Sequence, residues 1–202
     1  MKGLLLDYGG VLTSSIVDSF AVFCRLEGID PDAFRRAVLD HAREEGSIFA
    51  RVEIGAIDQE TFDAELATLI GEAAGRKVDP TGLKQRLFAA SEPDQAMFDA
   101  VKRFKARGIR TALVSNSWGG ADYPRDVFEE MFDAVVISGE VGVRKPDAEI
   151  YLMAAKLVGL EPSDCVFVDD FRVNVDGAEK AGMKGILHRD SASTLAELVT
   201  LL

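Results

Sequence analysis

The sequence predicts an α/β protein with a doubly wound, mainly parallel sheet of the Rossmann-like type and an inserted all-helical segment. In residues 1–14 and 91–202, short apolar runs bounded by polar or glycine residues alternate with helical patterns. Residues 15–90 carry helical periodicity without a convincing strand. Alternating strands and helices are typical of a parallel sheet with helices on both faces, so the helical stretch is expected to be an insertion into that sheet's connectivity.

Five short apolar runs predict the strands. They are Leu4–Leu6, Thr111–Val114, Ala134–Ile137, Cys165–Val168 and Gly185–Leu187. Each run is continuous and does not alternate with polar residues, which is typical of strands that are buried on both faces. The five runs therefore favour a parallel sheet at the centre of the protein.

Helices are predicted between these runs. Met97, Val101 and Phe104 recur at helical spacing after Asp94, and the pattern stops at Gly108. Further helices are expected from about residue 147 to residue 158, up to Gly182, and across residues 195–202. These helices are long enough to cover the two faces of the sheet.

The inserted segment is expected to hold three or four helices. Phe62, Leu66 and Leu69 show helical periodicity, and scattered glycines together with the Asp79-Pro80 step mark the connections. The predicted domains are an α/β core made of residues 1–14 and 91–202 and a helical domain made of residues 15–90.

The charge of the chain disfavours a polyanionic partner. The 202 residues include 34 Asp and Glu against 23 Lys and Arg, which gives 23 − 34 = −11. A surface field of that sign repels nucleic acid, so any phosphate site has to act locally through a few side chains, backbone N–H groups or a metal ion. We expect no nucleic-acid partner.

The sequence gives no sign of a membrane or secretory segment. The run Gly3–Leu6 is interrupted by Asp7, which makes it too short for a signal peptide, and no stretch approaches the roughly 18 apolar residues of a membrane helix. We therefore expect a cytoplasmic protein with no membrane partner. Cys24 and Cys165 match no metal or redox spacing and are expected to be buried thiols. The oligomeric state is not predicted.

Polar side chains follow the predicted strands where the strands end. They are Asp7, Ser115-Asn116, Ser138-Gly139-Glu140 with Lys145 after it, and Asp169-Asp170. The carboxyl ends of strands in an open α/β sheet meet at one crevice, so these groups are expected to converge. A carboxylate nucleophile, a hydroxyl, an ammonium and two more carboxylates suit phosphoryl transfer through an aspartyl-phosphate, with Mg²⁺ screening the anions.

Four segments of the chain carry a family resemblance. They are Asp7-Tyr8-Gly9-Gly10-Val11-Leu12, Val114-Ser115-Asn116, Gly142-Val143-Arg144-Lys145-Pro146-Asp147, and Phe167-Val168-Asp169-Asp170 with Asn174-Val175. In order and spacing they resemble the four motifs of the haloacid dehalogenase superfamily. The resemblance covers residues 3–188 and places the helical insertion where that family carries its type 1 cap.

The resemblance implies a role for each motif residue. Asp7 matches the family nucleophile, and Ser115 and Asn116 match the motif that holds phosphoryl oxygens. Lys145 is expected between Asp7 and Asp170, where an ammonium keeps the nucleophile ionised and stabilises the transition state. Its neighbour Arg144 is expected to be only solvated.

The resemblance also implies a magnesium site. Asp170 aligns with the metal ligand, and Asp7 together with the Gly9 carbonyl oxygen completes the protein's share of the near-octahedral oxygen shell that Mg²⁺ prefers. Asp169 is expected behind Asp170 or bound through water, with a part in catalysis.

The chief departure from the family pattern is Gly9. Most phosphatases of the superfamily carry a second Asp at this position, where it acts as general acid and base, a function worth roughly 10²–10⁴-fold in rate. Gly9 predicts a slower enzyme or one that needs good leaving groups. The chain resembles an Asp-x-Gly subgroup similar to some sugar-phosphate phosphatases and to the phosphatase-like part of epoxide hydrolases, and Asn174 fits that subgroup.

Three functions are therefore considered. The leading one is Mg²⁺-dependent hydrolysis of a small phosphorylated metabolite, a phosphomonoester, through an aspartyl-phosphate on Asp7. The second is a non-catalytic phosphate-binding or regulatory module that has lost its acid–base residue. The third, 2-haloacid dehalogenation, needs no metal, and the Asp169-Asp170 pair argues against it because uncompensated carboxylates repel an anionic haloacid.

Six further residues leave functional and structural roles open. Trp118 and Tyr123 could line the pocket mouth, Arg51 and Glu53 could face the crevice, and His41 and His188 could titrate near neutral pH. Surface or core roles are equally consistent with their positions in the sequence.

Overall fold

Five parallel strands form the central sheet of the computed structural model, which describes residues 2–118 and 123–202. The strands are β1 (Gly3–Leu6), β2 (Arg110–Ser115), β3 (Ala134–Ile137), β4 (Cys165–Asp169) and β5 (Lys184–Leu187). Their order is β3-β2-β1-β4-β5. The α/β fold class and all five predicted strands are confirmed.

The helices are numbered here in chain order. They are α1 (Ile16–Glu27), α2 (Pro31–Ala42), α3 (Ile48–Glu53), α4 (Gln59–Ala74), α5 (Leu83–Leu87), α6 (Gln95–Ala106), α7 (Arg125–Met131), α8 (Ser138–Val141), α9 (Ala148–Leu157), α10 (Arg172–Lys180) and α11 (Ser191–Leu201).

The position of β1 in the sheet determines where a site can form. β1 pairs with β2 on one side and with β4 on the other, so the direction of winding changes at β1. Leu4 and Leu6 pack into the apolar cluster on one face of the sheet, while Leu5 packs into the cluster on the other face. Because the crevice of a doubly wound sheet lies at the carboxyl ends of strands beside this switch point, Asp7 is at its centre.

Helices α1 to α5 form the inserted cap, which has its own apolar core. Phe23, Phe62 and Ile70 lie at its centre, at most 2% exposed. The expectation of three or four helices was too low, because the segment holds five. Helices α3 and α5 have only six and five residues, too few for an apolar repeat to be recognised. The domain division at residues 15 and 90 stays a prediction.

The two chain segments that join core and cap run side by side. Thr13 and Pro93 form an antiparallel bridge. The amide of Ser14 donates to the carbonyl of Glu92 at 2.7 Å, and the amide of Asp94 donates to the carbonyl of Leu12 at 2.8 Å. These bonds hold the exit and the return of the cap at one place on the core.

Two further expectations concern the chain as a whole. Cys24 and Cys165 are buried free thiols, as predicted. Within residues 2–118 and 123–202, none of the helices combines the length and the apolar character needed to cross a lipid bilayer.

Candidate active site

Asp7 is held at the carboxyl end of β1 by bonds on both sides. Its amide donates to the Val168 carbonyl at 2.9 Å, and its Oδ1 accepts the Tyr8 amide at 2.7 Å. Lys145 Nζ lies 2.7 Å from the same Oδ1. Both of these contacts fall on Oδ1, so Oδ2 is the oxygen left to approach a substrate. The residue is only 7% exposed.

Lys145 lies between two carboxylates in the interior of the protein. Its side chain is fully buried, and its Nζ donates to Asp169 Oδ2 at 2.7 Å in addition to its contact with Asp7. The expectation that Lys145 lies between Asp7 and Asp170 was wrong in its second partner. Asp169 is the last residue of β4, whereas Asp170 follows the strand and its side chain leaves in a different direction.

Asp169 is saturated with hydrogen bonds. Besides Lys145, it accepts the Phe171 amide at 2.8 Å and the Asn174 Nδ2 at 3.0 and 3.1 Å. These donors fix the Asp169 carboxylate against Lys145. The geometry makes Asp169 a positioning group for the lysine, and its expected part in catalysis stays a prediction. Asn174, which the fourth motif singled out, is one of its holders.

Asp170 carries an oxygen that the described protein does not satisfy. Among residues 2–118 and 123–202, no group forms a hydrogen bond with its buried Oδ1. One carboxylate oxygen from each of Asp7, Asp169 and Asp170 lies within 4.8 Å of the others. Three carboxylates face one ammonium, Lys145, so two negative charges remain uncompensated when all are ionised.

Burial and the neighbouring carboxylates together raise the pKa values of Asp7 and Asp170. Burial, reinforced by Asp169, raises the pKa of Asp170 to about 7. Burial, together with Asp169 and Asp170, raises the pKa of Asp7 to about 8, although Lys145 opposes the shift. A divalent cation would oppose both shifts by favouring the ionised carboxylates, and three oxygen donors suit hard Mg²⁺. Asp7 and Asp170 therefore fit the predicted metal role, and the carbonyl ligand from Gly9 stays a prediction.

Gly10 lets the loop after β1 pass Asp170. Its φ is +76°, and a Cβ there would lie 2.3 Å from Asp170 Oδ2. Only glycine fits both the backbone angle and the space. The Gly10 amide donates to Thr13 Oγ1 at 3.1 Å, which braces the loop.

Gly9 faces an apolar side chain from the cap. A Cβ at Gly9 would lie 2.9 Å from Ile16 Cδ1, at the start of α1. The place where most relatives carry a general acid is therefore bordered here by a methyl group, and no carboxyl stands at position 9.

The two polar residues of the second motif, Ser115 and Asn116, make different contacts. Ser115 is buried, and its Oγ forms a hydrogen bond with Tyr123 OH at 3.0 Å. Asn116 Oδ1 accepts the Lys145 amide at 2.8 Å, and its Nδ2 donates to the Lys145 carbonyl at 3.0 Å. The Asn116 side chain thus holds the backbone of the lysine loop, so a phosphoryl contact from Asn116 is left to its backbone N–H.

Glu53, at the end of α3, links the cap to both of these loops. It accepts Asn116 Nδ2 at 3.3 Å and Trp118 Nε1 at 3.2 Å, and it forms an ion pair with Arg144. Burial raises the pKa of Glu53, although Arg144 opposes that shift. The expectation that Arg144 is only solvated was wrong, because the partner comes from the distant cap. Arg51, in contrast, forms an ion pair with Glu65 inside the cap at 2.8 Å.

A cavity of about 320 Å³ lies between cap and core beside these groups. It is lined by Tyr8, Gly9, Thr13, Ile16, Lys84, Phe88, Ser91, Pro93, Ser115, Asn116, Trp118 and Tyr123. Trp118 and Tyr123 thus line the cavity, which agrees with the interpretation that they lie at the pocket mouth. Sequence reasoning missed Ile16, Lys84 and Phe88, because no motif or spacing distinguishes them from ordinary cap residues.

Both histidines have structural contacts. His188 Nδ1 forms a hydrogen bond with Thr194 Oγ1 at 2.9 Å. His41 Nε2 accepts the Ile48 amide at 3.2 Å. Neither residue lines the cavity.

The chain is similar in sequence to several named proteins. Bifunctional epoxide hydrolase 2 of Rattus norvegicus is 35% identical over 117 residues, which cover 54% of this chain and 21% of that protein. Sesquiterpene phosphatase astK of Aspergillus oryzae is 32% identical over 110 residues, or 52% of this chain and 56% of that protein. The chain thus matches a fifth or so of the length of the rat enzyme.

Solved structures share the fold. A HAD family enzyme from Bacteroides thetaiotaomicron, in complex with magnesium and inorganic phosphate, superposes with a TM-score of 0.62 at 21% identity over 94% of each chain. The family described as haloacid dehalogenase-like hydrolase matches residues 1–182. The match covers most of the chain, and this chain belongs to the haloacid dehalogenase-like hydrolases.

Proposed function

We propose that the protein is a Mg²⁺-dependent phosphatase that hydrolyses a small phosphomonoester through an aspartyl-phosphate on Asp7. One observation carries the proposal. Asp7 is fixed against the fully buried Lys145, while the neighbouring Asp170 Oδ1 is buried and has no hydrogen-bond partner among the described residues. This combination provides an oriented carboxylate beside an oxygen suited to a cation.

In the first half-reaction a carboxylate oxygen of Asp7 forms a bond to phosphorus. The bond between phosphorus and the ester oxygen breaks, and the alcohol leaves after taking a proton from solvent. In the second half-reaction water attacks the phosphorus, inorganic phosphate departs and the Asp7 carboxylate is restored. In this scheme Ser115 Oγ and the backbone N–H groups of its loop donate to the phosphoryl oxygens.

Lys145 has two tasks in this scheme. Burial alone lowers the pKa of its ammonium, but Asp169 and Asp7 outweigh that effect, so the pKa is raised and the side chain stays cationic. The cation favours the ionised form of Asp7 and stabilises negative charge on the transferring group. Bound at Asp7 and Asp170, Mg²⁺ would neutralise the remaining carboxylate charge and polarise the phosphoryl oxygens.

The comparisons support the phosphatase proposal without assigning a substrate. The similar Aspergillus protein is named a sesquiterpene phosphatase, and the Bacteroides enzyme was solved with magnesium and inorganic phosphate. A protein of Methanopyrus kandleri that is 30% identical over 101 residues is named a glyceraldehyde 3-phosphate phosphatase. The cytoplasmic location and the absence of nucleic-acid and membrane partners stay predictions.

A second candidate is a phosphate-binding protein without turnover. It is favoured by Gly9, where Ile16 stands in place of an acid–base side chain. Dehalogenation is disfavoured, because the carboxylates of Asp169 and Asp170 exceed the charge of Lys145 and would repel a haloacid.

Phosphate release separates these functions. Purified protein is assayed on p-nitrophenyl phosphate and on acetyl phosphate, with Mg²⁺ and with a chelator, beside the variants Asp7→Asn and Asp176→Asn. We expect Mg²⁺-dependent release that Asp7→Asn lowers by at least about a thousandfold. Asp176 is a matched control, since it lies half-exposed on α10, where it pairs with Arg172.

Each other outcome favours another function. Binding of inorganic phosphate without release would indicate the binding protein. Chloride release from 2-chloropropionate in the presence of chelator would indicate the dehalogenase. Phosphate release that Asp7→Asn leaves intact would show that Asp7 is not the nucleophile.

A further inference from the structure

We infer that the phosphoryl group of the substrate is carried by an apolar, ring-bearing alcohol. This inference rests on the proposed function and names its substrate class. The cavity between cap and core carries it, because the phosphoryl end and the leaving-group end of that cavity differ in chemistry.

The phosphoryl end is polar and the opposite walls are apolar. Gly9 and Ser115 border the end next to Asp7. Six of the other lining side chains are apolar or aromatic, and four are polar. The first group is Tyr8, Ile16, Phe88, Pro93, Trp118 and Tyr123, and the second is Thr13, Lys84, Ser91 and Asn116. A volume of about 320 Å³ equals roughly ten water molecules at liquid density, enough for a ring with a short substituent.

The tryptophan wall is rigid. Trp118 packs against four cap rings, at centroid distances of 5.1 Å to Phe49, 5.5 Å to Phe62, 5.6 Å to Phe88 and 6.0 Å to Phe20. Its Nε1 donates to Glu53, so the indole cannot rotate freely. A preformed aromatic wall lowers the entropic cost of binding a flat apolar group.

The opposite wall is built in the same way from the core. The rings of Tyr8 and Tyr123 lie 5.2 Å apart, and both contact Phe128 at 5.5 and 6.0 Å. The Tyr123 hydroxyl is engaged with Ser115. The faces of these rings are the apolar surface that the core side of the cavity offers a leaving group.

A polyol phosphate fits this cavity poorly. Thr13 Oγ1 already accepts the Gly10 amide and donates to the Ser14 carbonyl, so it has little capacity left. Several sugar hydroxyls would lose their water without regaining hydrogen bonds at Ile16, Phe88 or Pro93, which opposes binding. A benzyl-like group loses no hydrogen bonds there and gains apolar contact.

The inference is tested first by comparing two esters of primary alcohols, benzyl phosphate and glycerol 3-phosphate. Both release an alkoxide, so the comparison reports on the walls more than on leaving-group chemistry. We expect kcat/KM for benzyl phosphate to be at least about tenfold higher. Equal values, or a preference for glycerol 3-phosphate, would overturn the inference.

Two neighbouring residues of α1 provide a matched pair of variants. Ile16 lines the cavity, whereas Val17 is 65% exposed. Ile16→Ala is expected to lower the benzyl-to-glycerol ratio several-fold, and Val17→Ala is expected to leave it unchanged. An equal effect of both variants, or none from Ile16→Ala, would count against the apolar wall as the source of selectivity.

Binding gives a readout that does not need turnover. Trp118 is the sole tryptophan of the chain and lines the cavity, so its fluorescence reports on the site. In the presence of Mg²⁺, benzylphosphonate is expected to displace methylphosphonate and to bind at least about tenfold more tightly. Equal dissociation constants by calorimetry would overturn the inference.

The two proposals fail in different ways. If the protein bound benzylphosphonate tightly but released no phosphate from acetyl phosphate, the inferred apolar site would stand and the proposed phosphatase function would be wrong. If it released phosphate from acetyl phosphate but did not prefer benzyl phosphate to glycerol 3-phosphate, the phosphatase function would stand and the inferred apolar substrate class would be wrong.

Discussion

Charged groups are used differently in the core and in the cap. In the core, Lys145 is fully buried between Asp7 and Asp169. In the cap, Arg51 and Glu65 form an ion pair in which each side chain is 38% exposed. The first arrangement is costly unless every partner is present, while the second is screened by water. The comparison teaches that chemistry is concentrated at the strand ends and that the cap contributes shape.

The largest expected effect comes from removing the core cation. Lys145→Met keeps the length of the side chain but leaves Asp7 and Asp169 without compensation, which should lower the free energy of unfolding by about 3–5 kcal/mol and abolish phosphate release. Arg51→Met, the cap counterpart, should cost at most about 1 kcal/mol. Urea unfolding of the two variants measures both values. Equal decreases in the free energy of unfolding would contradict the stated difference between the core and cap ion pairs.

Glu53 is the exception that joins the two regions. Glu53→Gln keeps the shape but removes the charge that faces Arg144, and the loss of a charged hydrogen bond should cost about 1.5–3 kcal/mol. We expect KM to rise more than kcat falls, because Trp118 Nε1 then donates to a neutral amide oxygen, a weaker acceptor than the carboxylate. Glu65→Gln serves as the exposed control within the cap. If the two variants were alike in stability and in KM, Glu53 would have no special role.

Gly9→Asp tests whether the core lacks only an acid. The φ of Gly9 lies outside the left-handed region, and the contact it must relieve is the flexible end of Ile16. Turnover of alkyl phosphates should rise about tenfold relative to aryl phosphates, since only alkoxides need the proton. Gly9→Asn controls for shape. An unchanged alkyl-to-aryl ratio in the folded Asp variant would mean that the proton is supplied by another group.

The smallest effect concerns His188, a core residue outside the site. Burial lowers its pKa from the ordinary value of 6.5, while Asp94 and Asp190 oppose the shift. Below pH 6.5 the unfolded chain gains a proton that the folded chain resists, so stability present above that pH declines as the pH falls. Urea unfolding between pH 8 and 5 should show a weaker decline in His188→Gln. The same slope in both proteins would exclude His188 as a cause.

The sequence allowed the core to be predicted far better than the cap. Continuous apolar runs and the polar residues that follow them are local signals, and all five strands were found from them. Lys145 was placed near the correct group but beside the wrong carboxylate, because spacing cannot distinguish Asp169 from Asp170. That difference depends on the direction in which each side chain leaves β4.

The contacts between cap and core could not be predicted from the sequence, for a different physical reason. The partner of Arg144 is Glu53, 91 residues away, and no local pattern links them. The apolar walls from Ile16 and Phe88 likewise come from the relative placement of cap and core. Such contacts depend on tertiary packing, which a single sequence does not display.

The antiparallel bridge between Thr13 and Pro93 makes the cap exchangeable in evolutionary terms. Because its two ends already meet on the core, the insertion closes a loop whose entropic cost grows only with the logarithm of its length. A lineage can therefore lengthen, shorten or replace the helices at this junction without moving Asp7 or Lys145. Any replacement must supply a new partner for Arg144, and that single requirement limits which caps this core can accept.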